Sequence, residues 1–112
     1  MTYNQFDVVV VPFPFTDRPA TKKRPALVVS ANNFNTSHHQ LILAMITTAK
    51  QSVWPSDVLI NDWTEAGLST SCYVRFKLFT LDRNLIIRGV GSLSKNDKAA
   101  TRIALKIFLS VN

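Results

Sequence analysis

The chain of 112 residues predicts a mainly β protein: one small, strongly bent antiparallel sheet followed by a C-terminal α-helix. Three observations carry that expectation. Short apolar runs rich in β-branched residues, such as Val8-Val9-Val10-Val11 and Ala26-Leu27-Val28-Val29, recur along the sequence with turn-forming residues between them. Apolar residues at helical spacing are concentrated near the end, at Ala100, Ile103, Ala104, Ile107, Phe108 and Val111. Ser94, with Asp97 three residues on, marks where that helix begins, because a Ser hydroxyl can accept an otherwise unpaired N–H of the first turn. A series of short strands with one terminal helix buries its apolar surface best by curling the sheet.

Taken in order, Val8 to Pro12 reads as a strand buried on both faces, with Pro12 and Pro14 ending regular pairing. Residues 13–24 read as a polar, cationic loop and Ala26 to Ser30 as the second strand. The Asn and Ser cluster from Ala31 to Ser37 is a connection with room for a short helical turn, and Leu41 to Thr47 is the third strand. A loop holding Lys50, Gln51, Trp54 and Pro55 leads to a fourth strand near Asp57 to Ile60, and Trp63 to Gly67 reads as a turn. Ser71 to Phe76 is the fifth strand and Thr80 to Arg83 a short capped turn. Leu85 to Leu93 returns as a strand in which Gly89 and Gly91 indicate a bulge or close packing on another backbone. The apolar stripe of the helix then packs on the sheet or on a partner.

A chain of this length makes one domain, and it buries about two thirds of its unfolded surface without needing a metal or disulfide. Thirteen Lys and Arg against seven Asp and Glu give a net charge of +6, which points to a polyanionic partner, either nucleic acid or an acidic protein segment. Cys72 is the single cysteine, so no internal disulfide forms, and with only His38 and His39 beside it there is no usual zinc-ligand spacing. Cys72 reads as a small buried hydrophobe. The first residues lack the pattern of a secretory signal and no apolar run approaches a membrane span, so the expectation is a cytoplasmic protein without a membrane partner.

The order of motifs resembles the MazF/PemK-like toxin family. The strand ending in Pro12-Phe13-Pro14-Phe15 leads through a variable loop to Arg24-Pro25, then Ala44-Met45-Ile46-Thr47-Thr48 follows, then Val74-Arg75 and Thr80-Leu81-Asp82-Arg83. The resemblance spans nearly the whole chain and implies one toxin domain over residues 1–112 with an SH3-like barrel. It implies a metal-independent endoribonuclease, the toxin of a type II toxin-antitoxin pair. Such an enzyme cuts single-stranded RNA by 2′-OH attack, leaving a 2′,3′-cyclic phosphate and a 5′-OH, with no cofactor. It further implies a homodimer and a cognate antitoxin protein as partner.

Carried onto this sequence, the resemblance makes Arg24 the central catalytic residue, Thr47 a hydroxyl donor to a phosphate oxygen, and Arg75 an aid to acid catalysis. The chemistry agrees: a guanidinium spans two phosphate oxygens, and Pro25 restricts Arg24 to extended backbone. Strand alternation allows only one of Thr47 and Thr48 to line the site, and a shift of one residue would exchange them, so Thr48 stands beside Thr47 as an RNA-binding candidate. Arg18, Lys22, Lys23 and Lys77 are expected to form a salt-sensitive rim, and Trp54 a platform for an unpaired base. Phe79 departs from the pattern, since many relatives carry Arg before Thr-Leu-Asp. His38 and His39 diverge on neighbouring positions and are set aside as acid and base, and the sequence offers no clear carboxylate for the base, with Asp17 of the loop as a bare candidate.

Two other readings compete. The same barrel without catalysis would be an RNA- or protein-binding module, to which Phe79 and the lack of a clear base lend weight. A topoisomerase poison of the CcdB kind shares the fold but presents a Trp near its end, where this chain has Phe108-Leu109-Ser110-Val111-Asn112.

Overall fold

The computed structural model describes residues 2–13, 22–48, 50 and 52–111. Its six strands are β1 (Asp7–Phe13), β2 (Lys22–Val28), β3 (Gln40–Thr47), β4 (Val58–Ile60), β5 (Cys72–Asp82) and β6 (Arg88–Ser92); helix α1 (Asn32–His38) precedes β3 and helix α2 (Lys95–Phe108) follows β6. They form one antiparallel sheet in the order β4-β5-β3-β2-β1-β6, curled into a half-barrel.

Both faces of the sheet are apolar, as the unbroken valine run of β1 requires. Val8, Leu27, Ala44, Ile46 and Val74 belong to one core, with Phe6, Ile60 and Leu93, and Leu105 of α2 packs against it. Val9, Val11, Ala26, Val28, Leu41, Leu43 and Leu81 alternate with them and form a second core with Tyr3 and Ile86.

Several boundaries differ from the sequence reading. Pro12 lies inside β1, opposite Lys23 of β2, rather than ending it. The Val10 carbonyl accepts from the Ile87 N–H, so the peptide groups of Val10 face β6. Two residues on, Pro12 faces the same way, where β6 pairing has already ended at Val10, and its missing N–H leaves no ladder bond unmade. By the same alternation Pro25, opposite Val10, faces β3 just before pairing begins at Ala26↔Met45. The second strand therefore starts at Lys22, and the three cations stand within it. Thr80, Leu81 and Asp82 continue β5; the capped turn comes one step later as a 3-10 turn at Arg83–Leu85, where the Asp82 side chain accepts from the Asn84 N–H.

The glycine expectation divides. The register shift between Val8 and Val9 opposite Gly91 and Gly89 is the bulge. A Cβ at Gly91 would stand 2.5 Å from the Ala66 carbonyl oxygen, whereas one at Gly89 would meet only the Tyr3 ring at 3.6 Å. Gly67, at φ +84°, ends the turn after β4 and presses on β6 in return, leaving no room for a Cβ against the Val90 carbonyl. Turn and bulge thus meet backbone to backbone. Gly91→Ala is expected to cost about 1–3 kcal/mol, the range for overpacking a site that cannot relax, while Gly89→Ala stays within about 1 kcal/mol; urea unfolding of the two variants measures the difference.

Helix α2 begins as read, with the Ser94 hydroxyl accepting from the Asp97 N–H. The Asp97 carboxylate, 1% exposed, does not close the box but accepts the N–H groups of Asn61 (3.1 Å) and Asp62 (2.9 Å) beyond β4. The face turned inward carries Asp97, Thr101 and Ala104, with Leu105 beside them. Of the predicted apolar stripe only Ala104 is buried. Ile103 is 60%, Ile107 63%, Phe108 51% and Val111 95% exposed, so most of the stripe stays off its own sheet, although the Phe108 ring meets Phe76 of β5 edge-on at 6.2 Å. Among the described residues no helix is long and apolar enough to cross a membrane.

Candidate active site

Strand alternation decides which side chains can meet. Ala26 pairs with Met45, and continuing that antiparallel register by two residues sets Arg24 opposite Thr47, on the face that also carries Ala26, Val28 and Leu43. Both line one cavity of about 210 Å³ together with Phe13, Pro25, Met45, Ile46, Thr48 and Cys72. A second cavity of about 240 Å³ adjoins it, sharing Phe13, Met45 and Thr47 and adding Arg75, Lys77, Leu78 and Phe79. Thr47 thus stands at the junction of the two, with Arg24 on one side and Arg75 on the other.

Arg24 projects from exposed backbone of β2, and its guanidinium carbon lies 5.7 Å from the centre of the Phe13 ring. A cation over an aromatic face is held in place without losing hydrogen-bond donors, so the planar fork stays available for an anion. Thr48 also lines the first cavity, contrary to the alternation rule, because β3 ends at Thr47 and the rule lapses with it.

Arg75 is tied down more firmly. Its Nε and Nη2 donate to the two carboxylate oxygens of Asp57 at 3.2 and 2.8 Å, and Nη2 donates again to the Ser52 carbonyl at 2.8 Å. The Trp54 ring lies 5.0 Å from its guanidinium carbon. Burial would push the Asp57 carboxyl up, but the hydrogen bonds from Arg75 and the Trp54 N–H, with the Arg75 charge, outweigh it and hold the group below its ordinary value. The hydrogen bond to Asp57 raises Arg75 in turn.

Of the rim residues, Lys77 lines the second cavity. Lys22 and Lys23 are exposed on β2 but line neither cavity, and alternation gives Lys22 the face of Arg24. Trp54 stacks on Arg75 while 38% exposed. Arg18 and Asp17 lie outside the described residues. His38 stacks on Phe34, and His39 Nδ1 meets the Arg83 guanidinium at 2.9 Å; neither lines a cavity. Cys72 is buried, and burial pushes its thiol up, which keeps it protonated and a poor nucleophile. Phe79 forms part of the second cavity wall.

Sequence reading missed Asp57 and also Met45, which with Phe13 makes the apolar floor shared by both cavities. Among the described residues no Asp, Glu or His lines either cavity, and no three His, Cys, Asp or Glu side chains gather as a metal site. The arrangement is cationic and hydroxyl-bearing over an apolar floor, suited to a phosphate with a base beside it.

Residues 4–109 match the family model of PemK-like, MazF-like toxins of type II toxin-antitoxin systems. No curated protein matches the sequence. Among solved structures, a MazE-MazF crystal structure from Deinococcus radiodurans aligns with a TM-score of 0.76 at 18% identity over 100% of both chains. An endoribonuclease in complex with its cognate antitoxin, from a mycobacterial species, gives 0.74 at 16% identity over 99% of this chain and 96% of that one. The Mycobacterium tuberculosis toxin MazF-mt6 gives 0.73 at 17% identity over 95% and 98%. At these identities the likeness is one of fold.

Proposed function

The chain belongs to the family of PemK-like, MazF-like toxins of type II toxin-antitoxin systems, and on that footing we propose that it is a metal-independent endoribonuclease that cuts single-stranded RNA. The observation that carries the reading is Arg24 and Thr47 placed across β2 and β3 in one open cavity of about 210 Å³. In-line attack by the ribose 2′-OH builds negative charge on the phosphate oxygens as the 5′-oxygen departs. The Arg24 fork meets that charge, while the Thr47 hydroxyl donates a further hydrogen bond without adding charge. The products are a 2′,3′-cyclic phosphate and a 5′-OH. Unpaired bases splay onto the apolar floor and onto Phe79, which explains a preference for single strands.

The test is incubation with a long single-stranded RNA in excess chelator. Discrete fragments bearing 5′-hydroxyl ends are expected. The absence of a lining carboxylate or histidine among the described residues favours a second reading, a non-catalytic binding module, and RNA bound but left intact would establish it.

We further propose a homodimer acting in the cytoplasm and held in check by a cognate antitoxin. The charge of +6 suits an acidic antitoxin segment, and the mycobacterial endoribonuclease of like fold was solved in complex with its cognate antitoxin. The exposed stripe of Ile103, Ile107 and Val111 supports a second copy as a partner. Ile103→Lys with Ile107→Lys is expected to shift the protein to the monomer in analytical ultracentrifugation, and a dimer that survives both would place the interface elsewhere.

A further inference from the structure

The connection between β3 and β4 carries an ion pair that holding the scissile phosphate does not require. Asp57 is 1% exposed at its side chain and Arg75 14%. The carboxylate takes one edge of the guanidinium through Nε and Nη2, and the Ser52 carbonyl takes the second proton of Nη2. Trp54 covers one face of the guanidinium. The same carboxylate accepts the Trp54 N–H at 3.0 Å, while the Asp57 N–H returns a bond to the Trp54 carbonyl at 3.0 Å. Of the five N–H donors on Arg75, three are spent. Both left over are on Nη1, and no bond from Nη1 to a described residue accompanies the others.

A buried ion pair is weak ground for stability, because desolvation offsets most of the attraction. It is a strong orienting device, because a fork held along one edge can no longer turn. Arg75 lines the cavity that holds Thr47 and Lys77, on the opposite side of β3 from Arg24. We propose that Asp57 is a positioning residue for RNA cleavage, fixing the Arg75 guanidinium so that its Nη1 corner is offered to the RNA backbone beside the phosphate held by Arg24. The inference rests on the nuclease reading above. Asp57 touches no substrate and acts through Arg75 alone; without it Arg75 keeps its charge but loses its aim.

A double-mutant cycle on a defined single-stranded RNA tests this, with kcat and KM measured for the parent, Asp57→Ala, Arg75→Ala and the double variant, and Arg24→Ala as the inactive control. Asp57→Ala is expected to lower kcat/KM by about tenfold or more, and the double variant to be no worse than Arg75→Ala. Arg75→Lys should restore the charge but not the rate, since an ammonium has no fork to hold. Thermal melts accompany each variant, and Asp57→Asn carries the cycle if Asp57→Ala unfolds. Losses that add, or full activity in Asp57→Ala, overturn the positioning role while the parent still cuts. A parent that leaves RNA intact overturns the nuclease reading and the inference with it.

Discussion

Arg24→Ala is expected to lower the rate of RNA cleavage by about a thousandfold while the fold stays intact. Removing a single neutral donor from a site that stabilises developing charge costs about a hundredfold to a thousandfold, and a guanidinium that meets two oxygens lies at the upper end. Arg24 is exposed on β2 and its one described side-chain contact is the Phe13 ring, so truncation opens no cavity in either core. Arg24→Lys should recover only a small part of the rate, because an ammonium meets the phosphate as a point charge. Gel analysis of end-labelled RNA, beside circular dichroism of each variant, reads both halves of the expectation. A truncated variant that cuts normally would move the reaction away from this cavity.

The largest loss of stability is expected from Asp97→Ala. Its buried carboxylate accepts two backbone N–H groups just beyond β4, so truncation leaves two partly buried donors without their acceptor and empties a buried site. A loss of about 2–5 kcal/mol follows, which lowers the melting temperature by roughly 10–20 °C in a domain of this size. Ser94→Ala, which removes only the cap of the same helix, should cost about 1 kcal/mol. Differential scanning calorimetry of the pair separates anchoring of the helix from capping of it. Equal losses would show that the bonds to Asn61 and Asp62 contribute nothing.

Those two residues also show what the sequence made legible. The Ser94 and Asp97 spacing announces a helix start, and the start is where it was read. What Asp97 does with its carboxylate depends on a loop more than thirty residues earlier, which no local pattern encodes. The apolar stripe of α2 was visible for the same local reason and assigned to the sheet or a partner, but periodicity reports a stripe without reporting what covers it. The inward face instead uses small and polar residues, Thr101 and Ala104 beside Asp97. The prolines misled in a related way: Pro12 and Pro25 can stand inside strands because each turns its missing donor towards an unpaired edge, a fact of sheet order.

The site divides likewise. Arg24 and Thr47 were legible through the order of their motifs, and the sheet register brings them across from one another. Lys22 and Lys23, adjacent in sequence to Arg24, do not share its cavity. Asp57 had no signal of its own, because its meaning comes from Arg75, eighteen residues on and a strand away.

The position of β1 has a bearing on how the molecule is made. This first strand lies between β2 and β6, and Ser92 reaches back to the Phe6 carbonyl across 86 residues of chain. During synthesis β1 can find β2 early, but its other edge stays bare until β6 has cleared the ribosome. A valine-rich edge left open that long invites pairing between nascent chains. Docking of β6, rather than collapse of the early hairpin, is then the step that closes this edge against aggregation.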